Sequence, residues 1–316
     1  MNVLLTGYSG FVGSKIVERL IVKPVLLGRS KPEDENINYF YTNFESMSDY
    51  STSLNGIDVV IHCAALVHQT AGFCKDNDYC QFNETSTFEL AKACSELGVK
   101  RFIFLSTAKV NGEQTDSGCA FSFADTPAPK GGYANSKAKA ESRLFELALC
   151  SDLEVVVIRP PLVYGPGVKA NFASLMSLVS KGIPLPFGCI SNNKRSLVSV
   201  DNLVDLIITC IDHPKAANQV FLVSDDHDVS TSEMVREMSI ALAKPTWQLP
   251  VPIWCYKLAG KLFNKSDVVD RLIGSLQVDI SHTKETLDWA PPQTLQEGFK
   301  KTAEAFLQSK KSSGKK

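Results

Sequence analysis

The sequence predicts an α/β fold: a doubly wound parallel sheet joined to a smaller, mostly helical C-terminal domain. Two patterns point there. Short strands that are apolar throughout alternate with helical stretches across the first half, as in a sheet covered on both faces. The first strand also runs into a glycine-rich turn that opens a helix. The chain has 316 residues, 44% hydrophobic and 21% charged, enough for one large core or two ordinary ones.

The elements follow in order. Val3-Leu4-Leu5-Thr6 is a buried strand, and Val12 to Ile21 a helix with Ile16, Val17 and Leu20 on one side. Pro24 ends that helix, and Val25-Leu26-Leu27 is the second strand. Further strands are expected at 58–62, 101–106 and 154–159, with helices at 84–97 and 134–149. After Pro160 the chain becomes dense in Pro and Gly, which marks loop and lid material. A helix at 204–211 and a strand at 219–223 return to the sheet. The expected organisation is therefore a nucleotide domain over 1–165, rejoined by 196–227. Segments 166–195 and 228–308 form a substrate domain, and 309–316 a flexible basic tail.

Composition removes several functions. Lys and Arg total 33 against 34 Asp and Glu, a formal charge of −1, so no global basic field points to nucleic acid or an anionic membrane. No apolar run approaches the roughly eighteen residues of a membrane span, and the N-terminus reads as a strand rather than a signal peptide. The nine cysteines show neither C-x-x-C nor zinc spacing, which fits reduced thiols in a cytoplasmic protein and no metal site. The expected partner is a small molecule.

Thr6-Gly7-Tyr8-Ser9-Gly10-Phe11-Val12-Gly13 sits at the first strand–helix junction. Gly7 permits the tight turn, Gly10 lets a pyrophosphate approach, and Gly13 allows close helix packing. Ser9, Phe11 and Val12 lie where backbone N–H groups and the helix dipole meet the phosphates. The second strand ends Leu27-Gly28-Arg29-Ser30-Lys31, with no acid for a ribose 2′-OH. Arg29 suits a 2′-phosphate, so NADP(H) is favoured over NAD(H). The plainer reading makes Arg29 a solvated rim residue.

Tyr133 and Lys137 stand four residues apart, on one face of a strong helical pattern. An ammonium near a phenol lowers its pKa, which would make Tyr133 a general acid/base for an alcohol–ketone pair. Such spacing is common by chance. It gains force from the hydroxyls Ser106 and Thr107 at the end of an earlier strand, the edge where parallel sheets bind ligands.

Taken with T-G-x-x-G-F-x-G at Thr6–Gly13, D-x-x-x-H-x-A-A at Asp58–Ala65, S-T-x-x-V-x-G at Ser106–Gly112, Y-x-x-x-K at Tyr133–Lys137 and R-P-x-x-V-Y-G-P at Arg159–Pro166, the chain resembles an extended short-chain dehydrogenase/reductase of the NAD-dependent epimerase/dehydratase family. The resemblance implies a Rossmann-like sheet of seven parallel strands and a homodimer. It makes Thr107 the catalytic hydroxyl, Tyr133 the acid/base and Lys137 its electrostatic partner and a ribose ligand. Ala64 and Ala65 would line the cofactor path, Pro160 and Val163 would flank the nicotinamide, and Asn83 would support the site. Within this pattern His62 reads as a structural polar residue, and His68 has no assigned role.

On the substrate side, Asn171 resembles the family's diphosphate ligand, Phe187 its uracil-packing segment, and Arg195 its phosphate clamp, with Arg271 a second clamp. Together they favour a UDP-sugar. Lys109 and Asn111 stand where many family epimerases carry an aromatic ring, and resemble the branch acting on N-acetylated UDP-sugars. The expected activity is hydride exchange at C4 of a UDP-hexose or UDP-N-acetylhexosamine. Arg29 and Asn111 favour a 4-keto-sugar reductase serving surface-polysaccharide synthesis over a 4-epimerase. Ala108 after Thr107 disfavours a dehydratase, and the intact Tyr133–Lys137 pair disfavours a non-catalytic NADP sensor.

Overall fold

The computed structural model describes residues 1–44, 49–67, 76–116 and 118–313. His68 lies outside them. Seven parallel strands form one sheet: β1 (Val3–Thr6), β2 (Val25–Gly28), β3 (Tyr39–Tyr41), β4 (Val59–His62), β5 (Arg101–Leu105), β6 (Glu154–Arg159) and β9 (Gln219–Leu222). Their spatial order is β3-β2-β1-β4-β5-β6-β9. The chain steps outward from β1 to β3, then returns to pair β4 with β1, Thr6 opposite His62. That reversal opens a crevice beyond the C-terminal ends of β1 and β4, where doubly wound sheets bind ligands.

Strand residues alternate between two cores. Leu5, Ile61, Ile103, Val156 and Ile158 meet α1 (Phe11–Arg19) and α7 (Val200–Asp212) through Ile16, Leu203 and Ile207. Leu4, Val60, Phe102, Val155 and Val157 meet α4 (Ser86–Glu96) and α5 (Gly131–Leu149) through Leu90, Cys94, Ala140 and Leu144. Both faces are covered, which is why these strands carry no polar alternation. The buried Arg101 ties the sheet to its covering layer. Its Nε donates to Glu154 at 2.8 Å, and its Nη1 donates to the carbonyls of Cys210 and Ile211 at the end of α7, at 2.7 and 3.0 Å.

Two features escaped the sequence reading. β3 is a three-residue edge strand bearing the exposed Tyr41. β7 (Leu162–Tyr164), inside the stretch expected to be loop, and β8 (Leu197–Ser199) pair with each other. They border a third core, where Tyr164, Phe172, Met176, Met238 and Phe299 join α6 (Ala170–Val179), α8 (Thr231–Ala241) and α12 (Leu295–Ser313). The Tyr164 hydroxyl donates to Asp225 at 2.7 Å. Residues 309–313 continue α12, and Lys310 donates to the Ser180 hydroxyl at 2.8 Å. No helix among the described residues is long and apolar enough to cross a membrane.

Candidate active site

The glycine turn lies in the crevice. Gly7 has φ 71°, and a Cβ there would stand 2.6 Å from the Ala64 backbone N, so only glycine lets the β1 and β4 loops close together. A Cβ on Gly13 would strike the Gly7 carbonyl, which holds the start of α1 against the turn. Gly10 and Ser9 are exposed, and a Cβ on Gly10 would meet only the Gly7 oxygen within 4 Å. That outer face is open at the N-terminal end of α1, with Phe11 and Val12 half-buried at the helix's first turn.

Beneath the turn Thr6 Oγ1 accepts from the Ala64 N–H at 3.1 Å and shares a proton with His62 Nδ1 at 2.8 Å. His62 Nε2 meets Thr87 Oγ1 at 3.0 Å. Burial, and then the Lys137 charge, pull the His62 pKa down to about 3, so it is neutral and structural. An acid limit follows. The unfolded chain binds this proton below pH ~6.5 and the folded chain does not until pH ~3, so stability is lost as pH falls through that window, by roughly 3 kcal/mol at pH 4. Urea unfolding of His62→Gln between pH 7 and 4 is expected to show a flatter loss than the wild type. Parallel curves would assign the acid sensitivity elsewhere.

Tyr133 and Lys137 occupy the first turns of α5, facing the C-terminal end of β5. Lys137 is buried, donates to the Leu105 carbonyl at 2.9 Å and lies 4.2 Å from the centre of the Phe104 ring. Burial lowers its pKa to about 8, against the opposing pull of Cys63 and Glu141. Tyr133 departs from the expectation of a lowered phenol pKa. Burial, with Tyr79 at 6.4 Å between ring centres, raises it to about 12. Lys137 is engaged with Leu105 and Phe104, so desolvation dominates at Tyr133.

Two polar networks hold these groups. Asn83 accepts from Leu66 N–H at 2.7 Å and donates to the Ser136 hydroxyl at 3.1 Å, and Ser136 donates to the Tyr133 carbonyl at 2.8 Å. Asn83 sits in a π-helical turn (Cys80–Thr85) that precedes α4. The second network joins β5, α5 and β6. Glu141 accepts from the Ser106 hydroxyl and from Arg159 Nε at 3.1 Å to each carboxylate oxygen. Sequence reasoning missed Glu141 and Tyr79. Glu141 was legible in principle, since it extends the Tyr133–Lys137 stripe by another four residues.

The remaining expected site residues fall into distinct settings. Thr107 is half-buried at the end of β5 and accepts from the Lys109 N–H at 3.3 Å. Ala64 and Ala65 follow β4 half-buried, and Pro160 is buried after β6, with Val163 packed on the first core. Lys109 pairs with Glu113 at 3.0 Å. Asn111 is buried, accepting from Arg159 at 3.0 Å and donating to the Ser122 carbonyl at 2.9 Å, so its amide is committed within the protein. Phe187 belongs to the third core. Asn171 is exposed at the first turn of α6. Arg195 and Arg271 are adjacent: Arg195 donates to the Arg271 carbonyl at 2.5 Å. Arg29 is exposed, its guanidinium 5.6 Å from the centre of the Phe82 ring.

A parallel sheet of this order, with that turn at its first crossover and a Tyr–Lys helix against its middle strands, is the architecture of an extended short-chain dehydrogenase/reductase. The model of the NAD dependent epimerase/dehydratase family matches residues 3–224, and the chain belongs to that family of enzymes. It is 60% identical, over 98% of its length and 96% of the other chain, to a UDP-glucose 4-epimerase of Vibrio cholerae. It is 27% identical to an N-acetyl-α-D-glucosaminyl-diphospho-ditrans,octacis-undecaprenol 4-epimerase of Escherichia coli O157:H7, over 98% of this chain and 97% of that one. The fold matches the crystal structure of UDP-glucuronic acid 4-epimerase from Bacillus cereus with NAD, at TM-score 0.78 and 20% identity, covering 98% and 99% of the two chains.

These findings turn the functional expectation from reductase to epimerase. The reductase argument rested on Arg29 and Asn111. Asn111 serves Arg159, so its identity says little about the sugar. The preference for NADP(H) likewise finds no support: the family is described as NAD dependent, and the Bacillus cereus enzyme was crystallised with NAD.

Proposed function

We propose that this enzyme is a UDP-sugar 4-epimerase, with UDP-glucose and its C4 epimer as the substrate pair and NAD(H) retained through turnover. The observation that carries this reading is the 60% identity, nearly end to end, with the Vibrio cholerae UDP-glucose 4-epimerase. The site chemistry fits it. Gly7, Ser9, Gly10 and Gly13 hold the dinucleotide's pyrophosphate, and Ala64, Ala65, Pro160 and Val163 line the path of its rings. The bound nicotinamide supplies a reversible hydride acceptor at sugar C4. Tyr133, as phenolate, takes the O4 proton and returns it, so no net proton or electron leaves the site. Thr107 hydrogen-bonds O4. Lys137, the cation on the same helix face, offsets the phenolate charge that burial disfavours. Arg195 and Arg271 face the diphosphate with Asn171, the segment 228–308 closes over the sugar nucleotide, and the enzyme works as a homodimer.

Two tubes test the reading. Purified enzyme with UDP-glucose and no reductant is expected to produce the C4 epimer with no change in total bound cofactor. Enzyme with NADPH and a UDP-4-keto-6-deoxy-N-acetylhexosamine is expected to leave NADPH intact. Stoichiometric NADPH loss in the second tube, with no epimer in the first, would overturn the proposal in favour of a 4-ketoreductase.

A further inference from the structure

Helices α9 (Ile253–Leu262) and α10 (Ser266–Ile273) form a hairpin on the outer side of the third core. They pack closely: a Cβ on Gly260 would stand 2.9 Å from the Val269 side chain. The hairpin is anchored at its end, where Thr231 donates to the Leu272 carbonyl at 2.7 Å and Asn193 to Gly274 at 3.2 Å. Its inner contacts use Gly260, Val269, Leu272 and Ile273, which leaves the opposite face of α9 without a covering element among the described residues.

That outer face is apolar. Trp254, Leu258 and Leu262 recur at intervals of four, one helical stripe, and are 65%, 60% and 77% exposed. Phe263, directly after the helix, is 69% exposed. Soluble helices turn such residues inward, so the arrangement is inverted. Lys257 and Lys261 lie at one edge of the stripe, and Lys265 follows it; α9 carries no acid. Asp267 and Asp270 belong to α10, which also carries Arg271, so from Ile253 to Ile273 three lysines and one arginine stand against two acids. The −1 net charge of the chain hides this local balance, because acids elsewhere offset the lysines.

We propose that the α9–α10 hairpin docks the enzyme on an anionic lipid bilayer, with the Trp254–Leu258–Leu262 stripe and the adjoining Phe263 at the level of the headgroups and Lys257, Lys261 and Lys265 against their phosphates. The residue types choose the occupant. An apolar helical face with tryptophan and phenylalanine, rimmed by lysine, is the pattern of an interfacial helix. Its length and charge exclude crossing the bilayer. The inference does not depend on the reaction proposed above. The neighbouring Arg195–Arg271 contact nonetheless places the hairpin beside the proposed diphosphate site.

The test is vesicle flotation of the full chain, with and without phosphatidylglycerol in phosphatidylcholine. Binding is expected only with the anionic lipid, weakening as salt rises. Leu258→Glu with Leu262→Glu is expected to lower affinity by more than about tenfold. Lys257→Glu with Lys261→Glu is expected to lower it about fivefold per lysine. All variants should keep the wild-type turnover and unfolding midpoint. The proposal fails if the wild type ignores anionic vesicles, if zwitterionic vesicles bind equally well, or if the variants bind as the wild type does. It also fails if the Leu pair alters only the oligomeric state by light scattering, which would make the face a contact with a second copy.

Discussion

Replacing Tyr133 by Phe is expected to lower kcat for C4 epimerisation by about 10²–10⁴-fold, the usual weight of a positioned acid/base. The substitution removes one oxygen and little else. The ring stays packed against Tyr79, the backbone carbonyl still accepts from Ser136, and α5 keeps its start at Gly131. Cofactor content and the Kd for UDP-sugar should therefore remain near wild type, which separates loss of chemistry from loss of binding. Burial sharpens the case. A phenol held at about 12 does not ionise at neutral pH unless a neighbouring cation compensates, and Lys137 is the candidate on the same face. Lys137→Met should consequently leave Tyr133 in place and still reduce kcat steeply. A Tyr133→Phe enzyme retaining turnover within tenfold of wild type would remove Tyr133 from the acid/base role.

The sheet was legible because its strands are buried on both faces, so sequence alone shows them as unbroken apolar runs at β1, β2, β4, β5, β6 and β9. The same logic explains what was hidden. β3 is an edge strand whose Tyr39, Phe40 and Tyr41 are at most half-buried, and β7 and β8 are three residues each, β7 within Pro- and Gly-rich chain. The glycine turn was legible because Gly7 and Gly13 are steric requirements that no other residue meets. Side-chain partnerships were not. Nothing local in the sequence says that Asn111 faces Arg159, 48 residues on, rather than a sugar. Nor does it say that Phe187 closes a core or that Arg29 lies over Phe82. The phenol pKa was misjudged for the same reason. Helix spacing reveals that Lys137 shares a face with Tyr133, but not that its ammonium donates to the Leu105 carbonyl over the Phe104 ring or that burial sets the larger effect on the phenol.

Removing the Glu141 carboxylate is expected to destabilise the fold by about 3–5 kcal/mol, because it strands a buried guanidinium. Arg159 and Glu141 are each only 5% exposed, and Glu141 supplies most of the hydrogen bonds that Arg159 makes. In Glu141→Ala, Asn111 remains as the one side-chain acceptor for Arg159, and the Ser106 hydroxyl loses the carboxylate it donates to. An open cavity of about 370 Å³ lined by Pro127, Phe145 and Leu149 reaches this pair, so water can partly rehydrate the cation. That places the expected loss nearer the lower end of the range, measured by urea unfolding. The double variant Glu141→Leu with Arg159→Met separates folding from function. It replaces an ion pair by apolar volume, which commonly restores stability. It cannot restore the link from α5 to Ser106, whose neighbour Thr107 is the proposed ligand of O4. Recovered stability with kcat still depressed would show that the pair positions the end of β5. Recovery of both would reduce it to a structural tie. A Glu141→Ala protein within about 1 kcal/mol of wild type would show that the cavity already solvates Arg159 and that the pair contributes little to the fold.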